Sequence, residues 1–325
     1  MRWLVGIVVG AGVAAAQGTE LPLPVARSTT LNQEKVTYVV DGRKRIPWNV
    51  DIAVQRDVRI VGRNRAVLEI EGHLTITGTR DREVVVEGVR LEPVARFREL
   101  HLTDCIFRGG ACVRSPDQST VEGTLQIENT TFEMGCTADV VFHAGEITLL
   151  STVSVEPLSF AAKPRPDGKP NKVKFEAQTC FGSVRGSNFG LGGGLVLDGI
   201  DDATVRNCNL LGAKTSLRNC RRLVVDGSKV SSAIFEIRQD EAGRFAGTKV
   251  MKCDFYTTNV MVWAPGGGGN EEKLVLDKCW FKGIEKADEV HATVIKDGND
   301  DPTNGVRVAL QKILERPLEL AGTER

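Results

Sequence analysis

The 325-residue chain carries 42 basic and 42 acidic residues, for a formal net charge of +0. Such a balance leaves no electrostatic footprint for nucleic acid or for an anionic membrane surface. With 34 glycines, 41% hydrophobic and only 6% aromatic residues, the composition favours many turns and short strands over a bundle of long helices.

The N-terminus reads Met1-Arg2, an apolar run from Leu4 to Val13, then Ala14-Ala15-Ala16. A basic start, a short apolar core and a small-residue cleavage site describe a signal peptide over residues 1–16, and the apolar run is too short to span a bilayer. The expectation is an exported protein, periplasmic or extracellular, with no membrane span in the mature chain. Residues 17–35 read as an exposed lead-in and 36–303 as one repetitive body, with no second domain. Residues 304–325 read as a C-terminal cap and tail.

The body repeats one short pattern: apolar, any, apolar, two of any, a small or polar residue, any, and usually an apolar one. Leu100-His-Leu102-Thr-Asp-Cys105-Ile-Phe107 returns as Leu125-Gln-Ile127-Glu-Asn-Thr130-Thr-Phe132, then over Ala203 to Leu210, Leu223 to Val230, Thr248 to Phe255 and Leu274 to Phe281. Weaker copies start at Leu74, Ile147 and Val173. The sixth position collects Thr79, Cys105, Thr130, Thr152, Gln178, Cys208, Ser228, Cys253 and Cys279, about 25 residues apart. Strand-like alternation inside a period near 25 predicts one β-solenoid coil per repeat. Parallel strands of successive coils would stack like residues about 4.8 Å apart. The sixth position should then turn inward at a bend, where a free cysteine behaves as a small hydrophobe. Eight cysteines in an exported chain usually mean disulfides. Here Cys253 with Cys279, and Cys112 with Cys136, are expected as stacked thiols, because parallel Cβ vectors one rung apart exceed the usual disulfide separation.

Insertions should fall just before the repeated strand: Lys163 to Pro170 before Val173, Gly190 to Gly194 with Gly199 to Asp202 before Ala203, and Pro265 to Gly269 before Leu274. Loops on one side of a rigid scaffold are where function usually sits. The outward face of that sheet would carry Thr103, Glu128, Leu150, Glu176, Arg206, Asp226, Met251 and Asp277 in one row. Glu176, Arg206 and Asp226, with Lys174 beside them, form a candidate substrate-binding group: an arginine flanked by carboxylates suits a uronic-acid sugar, or an acid/base pair. Acids two rungs apart have backbones about 9.6 Å apart, too far for a retaining glycosidase pair. The same row also reads as a solvated ion-pair ladder. Trp280 and Trp263 are the candidate exposed aromatics, able to stack on a sugar ring, and Trp280 equally suits packing at the solenoid end. The four histidines, at 73, 101, 143 and 291, show neither metal-ligand spacing nor a His/Ser/Asp grouping.

At the C-terminal end stand Cys279-Trp280-Phe281-Lys282-Gly283, Asp288-Glu289-Val290, Val294 to Pro302 and Gly305-Val306. This run resembles the closing segment of exported right-handed parallel β-helix proteins of the pectate-lyase-like superfamily, although Phe281-Lys282 separates the tryptophan from the glycine. The resemblance implies an all-β fold: a single right-handed parallel β-helix with a short C-terminal capping helix. Asn304 to Glu315 could form that helix, with Val306, Leu310, Ile313 and Leu314 on one face and Pro317 stopping it. The families concerned include polysaccharide lyases, polygalacturonases, epimerases and members without known activity, so fold alone does not choose among them. Gly-His-Gly and Arg-x-Lys elements of polygalacturonases are absent from this sequence, and only Asp201-Asp202 echoes their acid pair.

Asp297, Asn299 and Asp301 alternate as calcium ligands do, but Pro302 and Val308 stand where an EF-hand loop needs glycine and glutamate. A capping turn explains the triplet equally, and no cofactor is expected apart from this calcium alternative. The sequence thus reads as a non-catalytic or catalytically diverged β-helix with a polysaccharide or cell-envelope component as partner. A polysaccharide lyase or epimerase acting on uronic-acid glycans and a structural or adhesive surface protein are the alternatives.

Overall fold

The computed structural model describes residues 19–116, 120–163, 172–176, 180–181, 194–200, 202–210, 214–240, 247–256, 259–265, 272–286, 289–290, 294–296 and 306–318. The repeat pattern forms strands in these residues because alternate side chains are apolar, and each coil offers its backbone groups to the next. The result is an all-β parallel solenoid with three strands per coil, stacked in three columns.

The first column holds the repeated segment. Its strands run from Thr29–Leu31 and Asp51–Gln55 through His73–Thr77 and Arg96–Thr103 to Glu272–Asp277 and Val306–Leu310, each paired in parallel with the next. The second column begins at Glu20–Pro22 and includes Cys105–Arg108, Lys229–Val230, Asp254–Phe255 and Trp280–Phe281. The third includes Arg90–Pro93, Cys112–Arg114, Lys214–Arg218, Ile234–Arg238 and Val260–Trp263. Glu20–Pro22 and Thr29–Leu31 already pair with the coil that follows, within the span expected to be an exposed lead-in.

The register is the one alternation demands. Leu100 pairs with Leu125, Leu125 with Ile147 and Ile147 with Val173, so apolar side chains of one position fill one line of the interior. Shifting a strand by one residue would turn that whole line outward. Phe107 and Phe132 stack at 4.7 Å between ring centroids, and Phe255 and Phe281 at 5.0 Å. Each such buried ring contributes about 1.5–3 kcal/mol.

The tight bend from first to second column explains the sixth position. Residues Asp104, Asn129, Ser151, Asn207, Gly227, Lys252 and Lys278 adopt φ between 45° and 59° there, a left-handed conformation that turns the chain in a single step. Their amides still reach the next coil: Asn129 N–H donates to the Leu150 carbonyl at 2.9 Å and Asn207 N–H to that of Asp226 at 2.9 Å. The next side chain points inward and is buried: Cys105, Thr130, Thr152, Cys208, Ser228, Cys253 and Cys279 are all 0–1% exposed. Each donates to the carbonyl two residues earlier, Thr130 to Glu128 at 2.8 Å, Ser228 to Asp226 at 3.1 Å and Cys253 to Met251 at 3.2 Å. Thiol and hydroxyl interchange in this column because either can make that bond. Cys105, Cys112, Cys136, Cys208, Cys220, Cys253 and Cys279 are free thiols.

Thr79 departs from the expectation. It is exposed, and residues 79–82 form a small loop closed by Thr79 and Arg82 bonding each other's backbone at 3.0 and 2.9 Å. The inward place in that coil goes to Val84, which pairs with Cys105. The loop inserts residues at the bend, so counting from the strand start lands on the wrong side chain.

The expected C-terminal helix is replaced by a strand. Val306–Leu310 pairs in parallel with Glu272–Leu276, and Ile313 bridges Cys279 as the next member of the inward column. Val306-Arg-Val308-Ala-Leu310 also fits a two-residue period. The open edge of Glu272–Asp277 supplies ladder partners, whereas an isolated helix of that length is marginal in water. The chain then crosses the outside of the second column, where Leu318 N–H donates to Asp254 Oδ1 at 3.0 Å. Beneath this strap Asp254 is 2% exposed, and burial raises its carboxyl above the ordinary value of 3.8.

Candidate functional site

The substrate-binding row expected on the first column is in register. Glu128 pairs with Leu150, Leu150 with Glu176, Arg206 with Asp226, Asp226 with Met251 and Met251 with Asp277. Lys174 pairs with Thr204 in the adjoining row. Only backbone is described for Lys174 and Glu176. Arg206 Nε lies 3.4 Å from Asp226 Oδ2, with the arginine side chain 45% exposed. Trp280 is not on this face: its strand belongs to the second column, where its ring meets Tyr256 edge-on at 5.2 Å and Lys229 Nζ lies 4.9 Å from the Tyr256 ring centre. Asp297, Asn299 and Asp301 lie outside the described residues.

Segments 164–171, 241–246 and 266–271 fall at the corner between third and first columns, the side expected to carry insertions. Segment 182–193, which contains Gly190, instead separates Cys180–Phe181 of the second column from Gly194–Asp198 of the third. Long intervals therefore occur at two corners. Their structure lies outside the described residues.

Stacking also assembles a group that linear spacing does not show. Asp51, His73 and Glu99 occupy one outward row of the first column on successive coils. His73 Nε2 stands 2.8 Å from Glu99 Oε2 and Nδ1 3.9 Å from Asp51 Oδ1, and Arg98 holds Asp51 at 2.7 Å. The histidine thus has carboxylates on both sides although its neighbours are a full coil away in sequence. Among the described residues no group of three His, Cys, Asp or Glu side chains is placed to hold a metal ion.

The most constrained polar cluster lies on the third column. Lys214, Ser216 and Arg218 alternate outward along Lys214–Arg218, and Ser216 pairs with Glu236 on the next coil. Glu236 is 7% exposed. A single oxygen, Oε2, accepts from Ser216 Oγ at 2.6 Å, Lys214 Nζ at 2.9 Å and Arg218 Nε at 3.1 Å. Although burial opposes ionisation, the donors from Ser216, Lys214 and Arg218 outweigh it, and the carboxyl is pulled down to about 2. Charge-assisted bonds of this kind are the strong ones, and here they fix three side chains around one ion.

Beside the cluster, in the adjoining outward row, Asp198, Arg218, Arg238 and Trp263 follow one another. The Arg238 guanidinium lies over the Trp263 ring, 4.6 Å from its centre. Asn219, held in a left-handed turn at φ 52°, donates from Nδ2 to Asp198 at 3.1 Å and to Asp240 at 2.9 Å. Met261, paired with Glu236, is 39% exposed and covers the next rung.

No protein-family model, curated protein or solved structure matches the chain. The geometry itself must therefore carry any functional reading. The alternation Lys214-x-Ser216-x-Arg218 against Glu236-x-Arg238 was available in the sequence as outward positions. The repeated segment drew attention to another strand of the coil, and nothing in linear order shows that Ser216 and Glu236 are neighbours.

Proposed function

We propose that this chain is an exported, right-handed, pectate-lyase-like β-helix that binds a polysaccharide of the cell envelope or its surroundings without cleaving it, on the outward face of the third column. The Arg238–Trp263 stack beside the Glu236-centred cluster is the observation that carries this reading. A sugar ring needs an apolar surface for its C–H face and fixed donors for its oxygens. The Trp263 ring face not covered by Arg238 supplies the first; Lys214 and Arg218, locked by one carboxylate, keep N–H groups for the second without further ordering cost. Right-handedness accords with the strong bias of parallel crossovers, and export with the N-terminal basic and apolar run. The drawn-down Glu236 carboxyl is a poor general base near neutrality, which favours binding over proton abstraction. A glycan array probed with the full chain and with Trp263→Ala, coupled to an absorbance screen for unsaturated uronate products, tests the proposal. Binding that Trp263→Ala abolishes, without product, is expected. Release of product would make the protein a lyase, and binding indifferent to Trp263 would move the site elsewhere.

A further inference from the structure

We propose that residues 315–318 form a latch on the second column, closed in acid and opening as pH rises, with the Asp254 carboxyl as its pin. Geometry sets this residue apart. Asp254 belongs to an outward row, between Lys229 on the coil before and Trp280 on the coil after, while its neighbour Phe255 packs in the core. Both row neighbours are partly exposed, yet Asp254 is 2% exposed. An outward carboxyl is buried so deeply only under a cover, and the strap supplies it: Leu318 N–H donates to Oδ1 at 3.0 Å. Beyond its anchor on the solenoid the strap is lightly fastened. Cys279 N–H donates to the Lys312 carbonyl at 3.2 Å and Leu314 N–H to that of Cys279 at 3.0 Å. Glu315, Arg316 and Pro317 are then exposed, and Pro317 has no N–H to offer. Among the described residues, the hydrogen bond that holds the strap past Leu314 is the one from Leu318.

The surroundings of the pin do not compensate an ion. Glu236, also buried, has three donors on one oxygen; Asp254 has the Leu318 N–H. Lys229 directs Nζ over the Tyr256 ring, 4.9 Å from its centre. Lys252 and Lys278 at the adjoining bend, and Glu315 and Arg316 on the strap, are exposed to water. Burial therefore raises the carboxyl above its ordinary value of 3.8, and the Leu318 N–H and Lys229 oppose it only in part. The closed latch holds Asp254 neutral, whereas the open one returns it to water, where it ionises normally. Closure is strongest below 3.8 and weakens as pH rises through the raised value. Opening adds a carboxylate to the row between Lys229 and the Trp280–Tyr256 pair, so the face offered to a partner differs between the two states.

Hydrogen–deuterium exchange of the full-length chain from about pH 3 to about pH 8, with each rate divided by the intrinsic rate at that pH, tests the latch. Protection of peptides containing Leu318 is expected to fall about tenfold for each pH unit from 3.8 to the raised value and then level off. The strand Val121–Glu128, in the middle of the solenoid, should keep its protection. Asp254→Asn should hold the strap at its acid level of protection throughout. Lys229→Met removes the cation that favours ionisation and should shift the fall to higher pH. Thermal unfolding reports whether each variant is folded, and should Asp254→Asn not fold, the Lys229→Met shift decides. Strap protection independent of pH in the natural sequence, or falling alike in Asp254→Asn, would overturn the latch, as would a Lys229→Met profile that does not move.

Discussion

The outward faces of the first and third columns use the same residue types at the same rung spacing, yet hold their charges differently. On the first, Arg206 and Asp226 meet at 3.4 Å with the arginine 45% exposed. Water competes for the arginine while the Asp226 side chain is 19% exposed, and a pair open to water on one side contributes about 1 kcal/mol or less. On the third, the Glu236 side chain is 9% exposed and three donors converge on one oxygen. A carboxylate removed from water must have its donors in place or its desolvation goes uncompensated. The contrast shows that a row of outward charges becomes a defined site only where packing excludes water from one member.

The largest consequence is for stability. Replacing Lys214 and Arg218 together by Met strands Glu236 as a buried carboxylate and should cost about 3 kcal/mol. Arg206→Met on the first column should cost under about 1 kcal/mol. Urea unfolding of the two proteins reads the difference directly, and equal losses would erase the distinction between the faces.

Acid should separate the faces next. Glu236 ionises more readily folded than unfolded, so its stabilising share is complete above its ordinary value of 4.5 and fades as pH falls toward about 2. Glu236→Gln should therefore flatten the acid limb of the unfolding midpoint. Asp254 works with opposite sign: burial raises its carboxyl above 3.8, so its contribution is greatest below that value and is lost as pH rises through the raised one. Asp254→Asn keeps an acceptor for Leu318 and should stabilise the protein at neutral pH.

Smaller effects belong to the bend beneath the first column. Cys253→Ser keeps a donor for the Met251 carbonyl, now 3.2 Å from the sulfur, and should cost only about 1 kcal/mol. Cys253→Val loses that donor while keeping the apolar volume, so comparing the two unfolding midpoints weighs the bond against the packing. Lys252 sits at φ 51°, and Lys252→Gly relieves the left-handed strain of a side chain while adding chain entropy. The balance should be a gain of about 0.5 kcal/mol.

How much of this was legible depended on whether the signal was local. The inward column from Cys105 to Cys279 was readable because each member sits at a constant offset from its own strand. Thr79 failed because five extra residues entered at that one bend and moved Val84 into its place. The segment from Asn304 to Glu315 satisfied helical spacing and strand alternation alike, and only an adjacent open strand edge decided between them. His73 with Asp51 and Glu99, and Ser216 with Glu236, join residues about one coil apart. Their spacing varies with corner length, so no fixed motif reveals them.

Sequence alone therefore determined the period, the interior and the tight bend, because each arises from alternation and turn chemistry within a few residues. Tertiary structure decided which outward residues meet, and which face holds a preorganised cluster. Parallel stacking brings residues together according to the lengths of the corners between them, and burial of Glu236 depends on the rungs either side of it.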